Sequence, residues 1–441
     1  MTTKGENTRE LVLETLLSVE KGESYSHKAL SALLDKYQYL SKQERSFITR
    51  VTLGTLERRI ELDYIIDWFS KVKVKKMKPV IRCILRMGVY QLKYMDSVPD
   101  SAVCNEAVKL AGKKGFGSLK GFVNGVLRSI SRNLPEVSYP SEEEKPIEAV
   151  SIRCSIPQWI LRQWREDYGW EKTKSMAESF LNQERTTIRV NTMMTDREKL
   201  IDDLKKQGIQ AEKVVLRDYP DFKQGLYIWE YDYLLKIKEF AQGQFYVQDV
   251  SSMLPVWFLN PKEGDFVVDV CAAPGGKSIH AAQLMQGLGV VEARDLTDYK
   301  VGLIEENIAR ARLKNVKAVK WDALILDESL VGKADGVIAD LPCSGLGVLK
   351  KKPDIRYRMT REQQEELSRL QRQILSNACQ YVKPGGTLLY STCTVNKIEN
   401  EDNTAWFLEN HREFSLAKER QIFPGESCGD GFYLAKMIRR L

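Results

Sequence analysis

Histidine is scarce in this 441-residue chain, with only His27, His280 and His411. The eight cysteines (Cys83, Cys104, Cys154, Cys271, Cys343, Cys379, Cys393 and Cys428) never pair as CxxC. Structural zinc sites draw on such pairs and catalytic zinc on histidine clusters, so no metal centre is expected. No apolar run approaches the roughly twenty residues of a transmembrane helix, so no membrane partner is expected. The opening Met1-Thr-Thr-Lys-Gly-Glu has no apolar signal-peptide core. A cytoplasmic protein with reduced thiols is therefore expected. The first 135 residues lack any β-rich run.

What is present is ordinary globular composition, 43% hydrophobic and 29% charged, at a length that suggests about two or three domains. The net charge of +7 is unevenly shared. Residues 1–135 carry 24 Lys and Arg against 14 Asp and Glu, whereas residues 136–441 carry 43 against 46. The basic surplus lies wholly in the N-terminal part and suits a polyanion such as nucleic acid, although a lysine-rich solvated helical surface would give the same count.

Residues 1–135 read as a helical bundle: Leu11, Thr15, Leu16 and Val19 recur at helical spacing, as do Ile81, Leu85, Val89 and Leu92. Pro79 suits a first helical turn. Residues 136–150, with prolines and an acidic cluster, read as a linker. Residues 151–240 read as a small α+β module, with helix over 156–182, a strand at Thr186–Val190 and helix over 195–207. From 241 to 441 short apolar runs alternate with helical stretches: Phe266–Val270, Gly289–Val291, Val316–Trp321, Gly336–Ala339 and Thr387–Tyr390. That alternation predicts a doubly wound, mostly parallel Rossmann-like sheet with its ligands beyond the carboxyl ends of the strands.

Chemistry-bearing residues follow those runs in order. The first run leads into Asp269-Val-Cys-Ala-Ala-Pro-Gly-Gly-Lys-Ser278, a strand feeding a glycine turn that opens a helix. Glycines there let backbone approach a ligand, and the helix start offers free N–H groups. The string is neither GxxxxGK[ST] nor GxGxxG. Asp295 follows the second run, at the distance where an acid holds the ribose hydroxyls of a nucleoside cofactor, with Lys300 at the start of the next helix. Asp322 follows the third run, placed for the adenine end. Each aspartate alone is weak evidence, since Asp is common at strand ends and helix caps; the ordered series is stronger. The fourth run ends in Asp340-Leu-Pro-Cys-Ser-Gly345 and the fifth in Tyr390-Ser-Thr-Cys-Thr394. A lone cysteine is usually a core residue, which suits Cys83, Cys104, Cys154 and Cys379. It is a poor account of Cys343 and Cys393, both just past strand ends. A thiol beside a nucleoside cofactor suits methylation of cytosine carbon 5: addition at carbon 6 makes carbon 5 nucleophilic. A group near ring nitrogen 3 is also needed, and Asp340 is the candidate.

Together these motifs resemble the RNA cytosine-5 methyltransferases of the NOL1/NOP2/Sun family over residues 150–441. The resemblance implies S-adenosylmethionine as cofactor, held by the loop Cys271, Ala272, Ala273, Pro274, Gly275, Gly276 and Lys277 with Asp295, Lys300, Asp322 and Asp340. It implies Cys393 as nucleophile and Cys343 as an aid to product release; DNA cytosine-5 methyltransferases use the Pro-Cys cysteine instead. Lys352-Pro-Asp-Ile and Asp430-Gly-Phe-Tyr are also similar to family segments, and Thr187–Thr192 to the strand of its RNA-binding module. Glu44-Arg-Ser-Phe, Val51–Thr55 and Val123–Arg128 resemble a NusB-like domain. That domain joined to this catalytic half resembles the RsmB (Sun/Fmu) branch, which implies small-subunit ribosomal RNA as partner; a monomer is expected. The competing readings are a transfer-RNA or other ribosomal-RNA substrate, a non-catalytic RNA-binding assembly factor, and a DNA methyltransferase.

Overall fold

The computed structural model describes residues 7–182, 185–426 and 429–441, so Cys428 and residues 1–6 lie outside it. The chain forms two compact units, Met1–Leu181 with Leu349–Arg358, and Asn182–Val348 with Met359–Leu441.

The first unit is helical: α1 (Thr8–Glu20), α2 (Ser26–Lys36), α3 (Lys42–Glu57), α4 (Arg59–Phe69), α5 (Pro79–Tyr94), α6 (Asp100–Lys113), α7 (Lys120–Asn133), α8 (Pro146–Cys154), α9 (Gln158–Tyr168) and α10 (Trp170–Ser179). The start signals are explicit. Asn7 accepts the Arg9 and Glu10 N–H groups, Ser41 and Glu44 form a capping box, and Pro79 opens α5, each satisfying or avoiding an orphan first-turn donor. Helical periodicity places Ile48, Val51, Ile65, Ile66, Leu85, Val89, Val123 and Leu127 in one buried core.

Residues 136–150, read as a linker, are packed against this unit. Val137 joins its core, Tyr139 stacks on Tyr64 at 5.5 Å, and Pro146 begins α8. Helices α8 to α10, read with the α+β module, fall in the N-terminal unit. A segment from far along the chain completes the unit: Leu349–Arg358, ending in the turn α16 (Ile355–Arg358). The Asp354 carboxylate accepts the Ser26 N–H at 3.1 Å. Tyr357 Oη donates to Leu56 O at 2.9 Å, and Arg356 donates to Leu349 O at 2.8 Å.

The second unit holds two sheets. The smaller, in the order β2-β3-β1-β4, is antiparallel and built from β1 (Thr186–Val190), β2 (Gln210–Lys213), β3 (Gly225–Trp229) and β4 (Phe245–Val247), with α11 (Arg197–Lys205) and the short α12 (Lys238–Ala241). Ile188, Val190, Leu200, Leu204, Leu226 and Ile228 form its core. Helix α13 (Val250–Leu259) leads to the larger sheet: β5 (Phe266–Asp269), α14 (Gly276–Leu284), β6 (Val290–Asp295), α15 (Asp298–Ala311), β7 (Val316–Lys320), β8 (Ala334–Asp340), α17 (Arg361–Tyr381), β9 (Val382–Thr392), α18 (Glu401–Asn410), β10 (Phe414–Ile422) and β11 (Phe432–Arg439). The strand order is β10-β11-β9-β8-β5-β6-β7. Strands β5 to β9 are parallel, as the alternation predicts. Strand β11 runs antiparallel to β9 and β10, an edge that the sequence reading does not contain. The parallel register brings the ends of β5, β6, β8 and β9 to one edge of the sheet. The order reverses between β8 and β5, where open α/β sheets bind their ligands.

Candidate active site

The glycine loop follows β5. Gly275, with φ at +100°, caps α14 in the left-handed region, where a side chain is strained. It brings no capping side chain, so first-turn N–H groups of α14 have no side-chain acceptor and can receive a polar ligand group. Asp295, 4% exposed, ties the loop down by accepting the Ala273 N–H at 2.9 Å and the Leu296 N–H at 2.8 Å. Lys300 Nζ donates to it at 2.8 Å. The carboxylate still has lone pairs for a ligand hydroxyl. Asp322 stands beyond β7 and accepts the Leu324 N–H at 2.9 Å. Burial, with Asp295 and Asp269 nearby, pushes the Cys271 thiol well up, so Cys271 is a neutral wall residue. Asp269, wholly buried, is raised to about 7, first by burial; Ser278 donates to its Oδ2 at 2.6 Å, while Oδ1 has no partner.

Two further motif residues meet here. Lys277 Nζ lies 2.7 Å from Asp340 Oδ2 and 3.0 Å from Ser252 Oγ, and Ser391 Oγ donates to Asp340 Oδ1 at 2.8 Å. The same ammonium sits 5.2 Å from the centre of the Phe432 ring, which places the Asp430-Gly-Phe-Tyr segment at the site. Lys352-Pro-Asp-Ile belongs instead to the N-terminal unit.

Cys343 and Cys393 are brought together, with their Sγ atoms 3.4 Å apart. The hydrogen bond with Cys393, then burial, pushes the Cys343 thiol well above its ordinary range. None of the seven described cysteines is in a disulfide. The two cysteine loops are fastened by Glu399, which the sequence reading does not include. Its carboxylate accepts the Ser344 N–H at 2.9 Å, Asn396 Nδ2 at 2.6 Å and Gln371 Nε2 at 3.1 Å, and also the Ser344 hydroxyl. Ser344 Oγ meets Thr394 Oγ1 at 2.7 Å, and Gln371 Nε2 also reaches Pro342 O at 2.8 Å. Gly347 permits the closest backbone approach, since a Cβ there would lie 2.1 Å from Gly431 O and 2.9 Å from Cys393 O. The dense polar string Asn396-Lys-Ile-Glu-Asn400 after Thr-Cys-Thr was the available signal for this network.

Arg189, in the middle of β1, lies in the segment Thr187–Thr192 but has no role of its own in the sequence reading. Fully buried, it donates to Gly276 O at 2.8 Å, to Gln283 Oε1 at 3.2 Å and to Gln248 Oε1, and so joins the small sheet to the start of α14. Burial lowers its pKa.

Three family models match in chain order: the NusB family over residues 6–132, the RsmF/B-like ferredoxin-like domain over 156–220, and the 16S rRNA methyltransferase RsmB/F over 256–438. The probable ribosomal RNA small subunit methyltransferase B of Bacillus subtilis is 35% identical, matching 99% of this chain and 100% of its own. The chain belongs to the RsmB/F family of 16S rRNA methyltransferases. An RsmB/F-type relative from Synechocystis, also named a probable ribosomal RNA small subunit methyltransferase B, is 31% identical over 92% of this chain and 90% of its own. The crystal structure of PH0851 superposes with a TM-score of 0.80 at 26% identity, covering 98% of this chain and 99% of that one. The crystal structure of NSun6 from Pyrococcus horikoshii with SFG superposes with a TM-score of 0.55 at 25% identity, covering 64% and 98%. RsmB/F enzymes use S-adenosylmethionine, and the uncapped start of α14, the residual lone pairs of Asp295 and the unpartnered Asp269 Oδ1 fit a ligand of that polarity. Among the described residues, no group of three or more His, Cys, Asp or Glu is placed to hold a metal, and no helix is long and apolar enough to cross a membrane.

Proposed function

We propose that this protein methylates carbon 5 of a cytosine in small-subunit ribosomal RNA through a covalent bond to Cys393. The observation that carries this reading is the pair of thiols, 3.4 Å apart at the ends of adjacent parallel strands. In the proposal the loop Cys271–Lys277 with Asp295, Lys300, Asp322 and Asp340 holds S-adenosylmethionine, which when bound supplies the methyl group. Cys343, held protonated, gives the Cys393 thiolate a hydrogen-bond donor. The thiolate adds to carbon 6, and the ring double-bond electrons move toward carbon 5. Asp340, positioned by Lys277 and Ser391, meets ring nitrogen 3 and passes it a proton drawn from Lys277 as charge develops there, the proton returning when the ring is restored. Carbon 5 takes the methyl and gives its proton to solvent water; the electrons of that carbon–hydrogen bond re-form the ring double bond, the carbon–sulfur bond breaks, and Cys393 leaves as thiolate. Cys343 assists this last stage. Both thiols are half-buried, so the base must leave its stack to reach them, which favours an unpaired cytosine.

Bisulfite sequencing of ribosomal and transfer RNA, from cells with and without the protein, locates the substrate; loss of one small-subunit signal is expected. The Cys393→Ala variant is expected to lose methylation by on the order of 10⁴-fold or more and to form no RNA adduct on denaturing gels. Cys343→Ala is expected to accumulate a covalent complex. If Cys393→Ala traps RNA while Cys343→Ala loses adduct formation, the roles are reversed.

A further inference from the structure

The connection between α4 and α5 carries five lysines in eight residues, Lys71, Lys73, Lys75, Lys76 and Lys78, all exposed. None of the five has a carboxylate within ion-pair distance among the described residues. Lys73 Nζ donates to the backbone Asp67 O at 3.0 Å. The nearest acid in sequence, Asp67, has its Oδ1 occupied by the Val74 N–H at 2.7 Å, which fixes the loop against the end of α4. These bonds hold the backbone, while no described carboxylate neutralises the five ammonium groups.

Aromatic rings stand on the last turns of α4, which leads into this stretch. Tyr64 and Trp68, one turn apart on α4, have ring centres 6.3 Å apart. Tyr139 stacks on Tyr64 at 5.5 Å with rings tilted by 22°. Lys93 reaches the Tyr139 hydroxyl at 2.8 Å, and Glu148, which faces Tyr64, lies 3.6 Å from Lys145. Trp68 is 48% exposed and Tyr139 40%. Large rings left in water beside a cluster of unneutralised cations suit one ligand well: bases stack on the rings while phosphates meet the lysines. A duplex hides its base faces, whereas a single strand offers bases and phosphates side by side.

We infer that the α4–α5 edge, with Trp68 and Lys71–Lys78, is a docking site for a single-stranded RNA segment away from the reacting base. This rests on the reading of RNA as substrate and adds a place where the RNA is gripped. The site holds RNA without reading its sequence, because stacking and phosphate contact accept any base.

The test uses the full-length protein and an unstructured oligoribonucleotide of about 12 nucleotides, with a duplex of equal length as control. Trp68→Ala is expected to weaken single-strand binding roughly 10-fold, with little change on the duplex, and Trp68→Phe to restore most of it. The triple variant Lys71→Gln, Lys75→Gln, Lys76→Gln is expected to weaken binding and to flatten the log–log salt dependence by about 2. Unfolding midpoints equal to wild type exclude a folding effect. Unchanged affinity and slope in both variants overturns the inference, as does equal loss on duplex and single strand for Trp68→Ala, or loss confined to anionic phosphatidylserine vesicles. Bisulfite signal from the wild type reports separately on the methylation reading. If that signal is present and the variants bind normally, the docking site fails alone; if it is absent, the oligonucleotide binding still judges the docking site.

Discussion

Between Lys71 and Lys78 five ammonium groups stand in solvent without a described acid in reach, whereas in the catalytic unit the buried cations Lys277, Arg294 and Arg189 are held by hydrogen bonds. Lys277, 8% exposed, is held by Asp340 and Ser252. Arg294, 3% exposed, lies between Glu292 and Asp327, and the Arg189 Nη groups donate to three oxygens. The difference follows from solvation. A charge in water keeps its hydration, is screened by salt and can be exchanged for another at little cost. A charge out of water must be matched, and removing one partner strands the other. The first arrangement gives a graded grip on a partner; the second gives fixed geometry.

The largest effect on methylation that would break this contrast is expected from Lys277→Met. Asp340 would lose its cation, and single-turnover methylation should fall on the order of 100-fold, with stability reduced by about 2 kcal/mol in urea titrations because Asp340 remains partly solvated. A variant within threefold of wild type would show that the buried pair is not part of the working geometry. A pH series on Asp269→Asn sharpens the comparison from the acidic side. The folded carboxyl sits at about 7 against an ordinary 3.8, so its contribution is fully present below about pH 4 and is lost as pH rises toward 7. Asparagine cannot ionise. Urea unfolding should therefore show wild type losing up to about 4 kcal/mol relative to Asp269→Asn across that window; a constant difference would mean that Asp269 is ionised throughout. The smallest effect belongs to the surface: Lys75→Ala or Lys76→Ala should shift unfolding free energy by less than about 0.5 kcal/mol.

The elements legible in the sequence were those whose pattern and local chemistry agree. Strand β1 and the parallel strands β5 to β9 read directly from short apolar runs, and the glycine loop marked the start of α14. Strands β10 and β11 did not, because Phe-Ser-Leu-Ala-Lys-Glu-Arg-Gln-Ile and Phe-Tyr-Leu-Ala-Lys-Met-Ile-Arg mix strand residues with Ala, Lys, Glu and Arg, and only pairing with β9 decides between strand and helix. The meeting of Cys343 with Cys393 was legible because parallel strands end on one edge. Glu399 was not, since the groups it joins stand up to 55 positions away and no local pattern encodes such a partner. Arg189 reads as an ordinary charged residue in a strand until the α14 start is seen beside it. The stretch 136–150 looked like a linker because proline and acid discourage regular structure; its few apolar side chains, Val137 and Tyr139, are what bind it down.

The segment Leu349–Arg358 sets an order on the birth of the molecule. Ser26 waits 328 positions for Asp354, and Leu56 waits 301 for Tyr357. A ribosome has therefore made α1 to α10 and the first four strands of the catalytic sheet before the N-terminal helices receive their last piece, so the two units mature together even though one is translated first. Contacts of such separation are slow to form. A fragment ending near residue 181, whether from premature termination or proteolysis, would keep the helices and lack what completes them.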